Sequence, residues 1–171
     1  MPKIHIITDA DLDGAGSYLC LKYAYKNASI SYEVTTEKKF LVDIAFFEFD
    51  KYDLVIIADL NLKEDEIKLC DYKNVMVIDH HAEHMDLIDN YKNVKTIIKD
   101  YTSCTKLIYD TFNLENKLNK NQKLLVKLID DYDSYKNEIR DNILKSGDQS
   151  LLKLIKTLPE ESFARLKKIL K

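Results

Sequence analysis

Two runs restrict the fold of this chain more than any other feature: DLVIIADL (Asp53–Leu60) and NVMVID (Asn74–Asp79). Each is short, rich in β-branched residues and apolar almost without a break. A strand with one face in water alternates; one covered on both faces does not. KEDEIKLC (Lys63–Cys70), between them, has the length and spacing of a short helix. A buried strand, a helix and a second buried strand make a unit with parallel strands and the helix lying across the sheet.

The rest of the N-terminal two-thirds extends that unit. KIHIIT (Lys3–Thr8), ISYEVT (Ile30–Thr35) and VKTIIK (Val94–Lys99) read as three more strands. GAGSYLCLKYAYKN (Gly14–Asn27) carries helical spacing, and EKKFLVDIAFFEF (Glu37–Phe49) is read as a helix. The expectation is an α/β fold: a Rossmann-like parallel sheet of about five strands flanked by helices. From Ser103 onward SCTKLIYDTF, NQKLLVKLIDDY, IRDNILKS, QSLLKLIKTL and PEESFARLKKIL place Leu or Ile at helical spacing. No Gly/Ser/Pro-rich linker, repeat or low-complexity tract interrupts them. The sheet is therefore expected within residues 1–135, with residues 136–171 a helical C-terminal extension packed on the same unit.

Composition excludes several classes. With 46% apolar and 32% charged residues the chain has the balance of a soluble globular protein. A net charge of -3 argues against a strongly basic, nonspecific nucleic-acid binder, but not against an enzyme that meets phosphates through bound cations. Cys20, Cys70 and Cys104 are odd in number and form no CxxC pair, so neutral thiols in a reducing compartment are expected. The N-terminal MPKIHIITD enters a strand at once and no run is long enough for a bilayer, so the expected location is cytoplasmic, away from membranes.

The chemistry sits where the strands stop. DADLDGAGS (Asp9–Ser17) follows the first strand, and Asp9, Asp11 and Asp13 alternate so that an extended segment would project them to one side. Gly14 and Gly16 would let the chain turn and approach a ligand closely. The third strand ends in Asp59, and the fourth in Asp79, His80 and His81. The carboxyl ends of parallel strands share one sheet edge, where ligands bind. Carboxylates gathered there repel unless a cation lies among them. Oxygen donors with one or two imidazoles suit Mn²⁺ or Mg²⁺ before zinc, and so many ligands suit two ions, the usual device for phosphoester hydrolysis. The simpler readings are a calcium loop, an acidic turn, or Asp59 as a helix cap for KEDEIKLC. The first fails because DxDxDG follows a strand and position 20 is Cys20 where the loop needs glutamate.

IITDADLDGAGS, VIIADL, VIDHH and the later acids of LIDDYDSY together resemble the motifs of the DHH phosphoesterases, over Lys3 to about Tyr135. The family includes RecJ-type single-strand exonucleases, nanoRNases, cyclic-dinucleotide phosphodiesterases and family II pyrophosphatases. The resemblance implies two manganese ions. It makes Asp9, Asp11, Asp13, Asp59 and His80 metal ligands, with Asp59 bridging. His81 would contact the substrate phosphate, Asp79 would orient a histidine, and Asp79, His80 and His81 would form the catalytic triplet. Asp130, Asp131 and Asp133 compete for the last ligand, and the YDSY ending favours Asp133. Ser103 and Thr105 resemble a small-hydroxyl stretch that helps hold substrate, although an N-cap reads equally well there. His5 and His84 are read as structural or incidental. Lys22, Lys38, Lys39, Lys99 and Lys106 are candidates to guide phosphates, though most lysines are simply solvated.

Most members add a second domain with a glycine-rich motif near a histidine. This sequence has no glycine run after Gly16 and no histidine after His84, so a DHH domain alone is expected, its cap replaced by the helical tail or another subunit of a homo-oligomer, or its site left open. The expected activity is Mn-dependent phosphodiester hydrolysis by water activated between two ions. The expected substrates are short oligonucleotides, dinucleotides or single-stranded nucleic acid ends. The rival readings are an inorganic pyrophosphatase or polyphosphatase, and a non-catalytic DHH module that binds nucleic acid or a partner.

Overall fold

The computed structural model describes residues 1–134; the expected extension of 136–171, with IRDNILKS and the two segments after it, lies outside the described residues. The five expected strands form one parallel sheet: β1 (Lys3–Asp9), β2 (Ser29–Thr35), β3 (Leu54–Ala58), β4 (Val75–Asp79) and β5 (Lys95–Ile98). Their order is β2-β1-β3-β4-β5. The chain first steps outward from β1 to β2, then returns past β1 to build β3, β4 and β5 on the other side. The order reverses between β1 and β3, and a crevice opens at such a switch point beyond the carboxyl ends of the strands. Ile6 pairs with Ile56 and Ile57 with Val77, which brings Asp9, Asp59 and Asp79 to the same edge.

The unbroken apolar runs are explained by cover on both faces. Ile4, Ile6, Ile56, Ala58, Met76 and Ile78 point to a core shared with α1 (Leu12–Ala24), α5 (Cys104–Thr111) and α6 (Lys120–Asp133). Ile7, Val55, Ile57, Val75 and Val77 point to the opposite core, under α2 (Glu37–Ile44) and α3 (Glu64–Cys70). α4 is a single turn, Ala82–Met85, in the connection from β4 to β5. Among the described residues no helix is long and apolar enough to cross a membrane.

Two sequence expectations are corrected. The helix expected over Glu37–Phe49 stops at Ile44. Phe47 and Phe49 turn inward, stacking on Tyr52 and Tyr72, while Phe46 is 89% exposed, and no single helical face could satisfy all three. The segment Asp9–Asp13 is not extended throughout. Asp11 has extended backbone and caps α1, its Oδ1 accepting the Gly14 N–H at 2.8 Å, so Asp13 already lies in the first helical turn. The two glycines serve the protein's own contacts. A side chain at Gly14 would strike the Asp9 carbonyl, and one at Gly16 would strike Thr105 and reach Ile129 Cδ1 at 2.7 Å.

Candidate metal centre

α1 presents Asp13 to the site, and α5 holds it there. Asp13 is buried, and its two oxygens accept the backbone N–H groups of Cys104 (2.6 Å) and Thr105 (2.8 Å) at the start of α5. The Thr105 hydroxyl donates to the Asp13 carbonyl at 3.0 Å. Burial pushes the Asp13 carboxyl above the ordinary range, against the pull of the hydrogen bonds from Thr105.

Asp59 follows β3 in a left-handed backbone conformation, φ 61°. Few residues other than glycine adopt it, although aspartate does so more readily than most. Its amide donates to the Ile78 carbonyl at 3.0 Å, which fixes the turn against β4. The side chain is buried, and its Oδ2 has no hydrogen-bond partner among the described residues. Burial, and then the negative charges of Asp13, Asp11 and Asp79, drive its pKa well above the ordinary value. Asp59 does not cap α3; Lys63 does, with Glu66 accepting the Lys63 N–H at 2.7 Å.

His80 stands at the centre. Its Nδ1 donates to the Tyr101 carbonyl, 3.2 Å away, since a carbonyl only accepts. That leaves Nε2 facing three carboxylates: Asp13 Oδ2 at 3.4 Å, Asp59 Oδ1 at 3.5 Å and Asp133 Oδ2 at 3.7 Å. Among the described residues two sets of donor atoms form, the atoms of each within 4.8 Å of one another: Asp13, His80 and Asp133, and Asp59, His80 and His81. Burial first, and Asp13 next, raise the Asp133 carboxyl to about 6, with His80 pulling it down.

The three candidate acids of α6 separate by position. Asp133 faces His80. Asp130 accepts the hydroxyls of Thr102 (2.5 Å) and Ser103 (2.8 Å), and Asp131 is buried outside both donor sets. Ser103 and Thr105, expected to touch substrate, are fully buried. Their hydroxyls serve Asp130 and the Asp13 backbone, and Ser103 also caps α5, accepting the Lys106 N–H at 3.1 Å. Asp11 and Asp9 lie outside both donor sets. Asp11 is close enough to raise the pKa values of Asp13, Asp59 and Asp133. Asp9 ends β1 and lines a cavity of about 430 Å³ with Ala10, Thr36, Glu37 and Lys38. Of the other candidate lysines, Lys106 pairs with Asp110 at 2.7 Å, and Lys22, Lys39 and Lys99 are exposed.

Asp79, at the end of β4, is fully buried and grips two imidazoles: His81 Nδ1 at 2.7 Å from Oδ1 and His84 Nδ1 at 2.8 Å from Oδ2. Burial works against its charge, but the hydrogen bonds from His81 and His84 prevail and hold it at about 2. The bond to Asp79 is the main reason that His81 is raised to about 9, against burial. His81 stays about a third exposed, its ring 4.6 Å from that of His80. The partnership of His84 with Asp79 was not legible in the sequence; its one signal was a third histidine three residues beyond His81. His5 is remote, bonded to Ser31 at 2.8 Å and packed on Phe47 and Tyr52.

These observations define a class: an α/β protein with an acidic, histidine-bearing centre at the carboxyl edge of a parallel sheet, chemically fitted to divalent cations. An orphaned buried carboxylate oxygen and an Nε2 ringed by three acids are the fit a cation requires. The particular family follows from the sequence pattern of the DHH family's N-terminal domain, which matches residues 3–132; the chain belongs to the DHH family. That family is one of metal-dependent phosphoesterases. Among solved structures, an uncharacterized protein from Helicobacter pylori G27 is similar in fold, with a TM-score of 0.53 and 18% identity, over 80% of this chain. The match spans 45% of that protein, so this chain corresponds to less than half of its length. Among curated proteins none matches.

Proposed function

We propose that this protein is a metal-dependent phosphodiesterase acting on short oligonucleotides, dinucleotides or single-stranded nucleic acid ends, with two divalent ions, Mn²⁺ before Mg²⁺. The observation that carries the reading is His80 Nε2 facing Asp13, Asp59 and Asp133 within 3.7 Å, beside an Asp59 oxygen that has no partner among the described residues. Asp13, Asp59, His80 and Asp133 would hold the ions, with Asp9 and Asp11 at the rim. The imidazole in the set favours Mn²⁺ over the harder Mg²⁺. When bound, the ions supply Lewis-acid polarisation of the phosphate and an activated water.

The chain's own groups do the rest. The α5 N–H groups keep Asp13 aimed at the centre, so little reorganisation is needed as charge develops. His81, held as a donor by Asp79, presents its partly exposed ring to a non-bridging phosphate oxygen. Ser103 and Thr105 act through Asp130 and Asp13 as positioning residues instead of touching substrate. The cavity beside Asp9 and Lys38 has the size of a small-ligand site and would receive the rest of the substrate.

The test is turnover by purified protein with Mn²⁺ of pyrophosphate, linear pApA, cyclic dinucleotides and a 5′-labelled single strand. Cleavage of pApA or the single strand is expected. Turnover of pyrophosphate alone would make it a pyrophosphatase. No turnover by protein that has bound two ions would make it a binding module.

A further inference from the structure

His84 lies outside both donor sets, yet it is fully buried and both ring nitrogens are engaged. Nδ1 meets Asp79 Oδ2 at 2.8 Å, and Nε2 meets the Tyr91 hydroxyl at 2.6 Å. The connection from β4 to β5 is folded around this group. His81 is the N-cap residue of the single turn α4, and His84 lies three residues on. The next turn, Ile88–Asn90, brings Tyr91 back over His84, with ring centroids 5.8 Å apart.

The hydrogen positions follow from the inventory of donors. A carboxylate only accepts, so His81 and His84 must both carry hydrogen on Nδ1. In the neutral ring, His84 Nε2 then accepts from the Tyr91 O–H. One continuous line runs Tyr91–His84–Asp79–His81, and its outer end is His81 Nε2. Without His84, Asp79 would keep one oxygen buried and unpaired, a costly state that rotation of the carboxylate toward another donor would relieve. Such a rotation would carry the His81 ring with it.

We propose that His84 and Tyr91 are positioning residues of the metal centre. They occupy the second oxygen of Asp79, fix the plane of its carboxylate, and so set both the orientation of His81 and the nitrogen it offers outward. The proposal deepens the phosphodiesterase reading and rests on it for its catalytic consequence. Its geometric content is independent of that reading. An apolar pair of the same volume would give Asp79 Oδ2 no donor, and the carboxylate that fixes the His81 tautomer would no longer be held in its plane.

The experiment is two-bond proton–nitrogen correlation on ¹⁵N-histidine-labelled, metal-free protein at one alkaline pH where the imidazoles are neutral, together with kinetics. In the parent, the neutral His81 and His84 rings are expected to carry hydrogen on Nδ1, the nitrogen that meets Asp79 in each. In His84→Ala, neutral His81 is expected to become a mixture of tautomers. Its kcat is expected to fall about 10–100-fold while Mn²⁺ affinity is unchanged. Tyr91→Phe should act in the same direction but less, and serves if His84→Ala does not fold. His84→Asn, which restores an amide N–H toward Asp79, should recover part of kcat. A parent whose neutral His81 carries hydrogen on Nε2 would overturn the proposal. So would a folded His84→Ala with the parent's His81 tautomer and kcat. Because tautomers are read without substrate, failure to find any turnover sinks the phosphodiesterase reading and leaves this test standing.

Discussion

Replacing Asp59 with asparagine should stabilise the metal-free protein while removing most of its response to metal. Asp59 is 4% exposed, one of its oxygens has no hydrogen-bond partner among the described residues, and its neighbours Asp13, Asp11 and Asp79 are acids. An acid whose folded pKa is raised adds most to stability below its unfolded value. That contribution is lost as pH rises through the folded value, so ionising Asp59 in the metal-free protein costs stability. Asparagine removes the charge, keeps the shape and tolerates the left-handed backbone at φ 61°. Relief of one unsatisfied buried group is worth about 1–3 kcal/mol. At roughly 2–4 °C per kcal/mol for a chain of this size, the Tm in EDTA should rise by about 2–12 °C. In the parent, Mn²⁺ at a hundred times its Kd should add about 2.7 kcal/mol, a further rise of about 5–11 °C, and D59N should lose most of it. Differential scanning fluorimetry in EDTA and in Mn²⁺ reads both effects. A D59N protein that melts below the parent in EDTA, or that keeps the parent's full shift in Mn²⁺, would overturn this role for Asp59.

Four further outcomes follow from other parts of the site and scaffold. Asp133→Ala should weaken Mn²⁺ binding by about tenfold or more in calorimetric titration. Asp130→Asn should leave affinity unchanged and instead lower the Tm, because Asp130 holds Thr102 and Ser103. Gly16→Ala should cost about 1–3 kcal/mol in chemical denaturation, since its methyl group would be driven into Thr105 and Ile129. Burial raises the Asp71 carboxyl, but the backbone N–H groups of Asn93, Lys92 and Val94 together outweigh it and lower its pKa. Its contribution is therefore present above the unfolded value of about 3.9 and lost as pH falls through the folded one. Asp71→Asn should melt below the parent at pH 7, and the gap should close in melts taken at progressively lower pH below 4.

Which parts of this arrangement could be seen in the sequence follows from the range of the forces involved. Burial on both faces leaves its mark residue by residue, so Val55–Ala58 and Val75–Ile78 announce themselves as strands. The position of Asp59 and Asp79 at strand ends follows with them. Capping is decided by geometry over three residues, and there the sequence was ambiguous. Asp9, Asp11 and Asp13 fit an extended segment equally well until the Asp11–Gly14 hydrogen bond starts α1. Partnerships across the fold left no local trace. Cys104 and Thr105 reach Asp13 with backbone N–H groups, which any residue type except proline supplies. Ser103 read as a substrate contact or a cap because a hydroxyl does not declare which carboxylate it will meet. His84 declares no role in the sequence for the same reason: only the return of the chain at Tyr91 gives its ring two partners.

Asp13, Asp59, His80 and Asp133 are proposed to form one group that holds divalent ions. Anomalous diffraction from crystals grown with Mn²⁺, recorded at the manganese edge, tests this assignment most directly. Two peaks are predicted at the carboxyl edge of the sheet, within bonding distance of His80 Nε2 and the Asp59 oxygen that now lacks a partner. A map with no peak among these four side chains, from protein saturated with Mn²⁺, would contradict it.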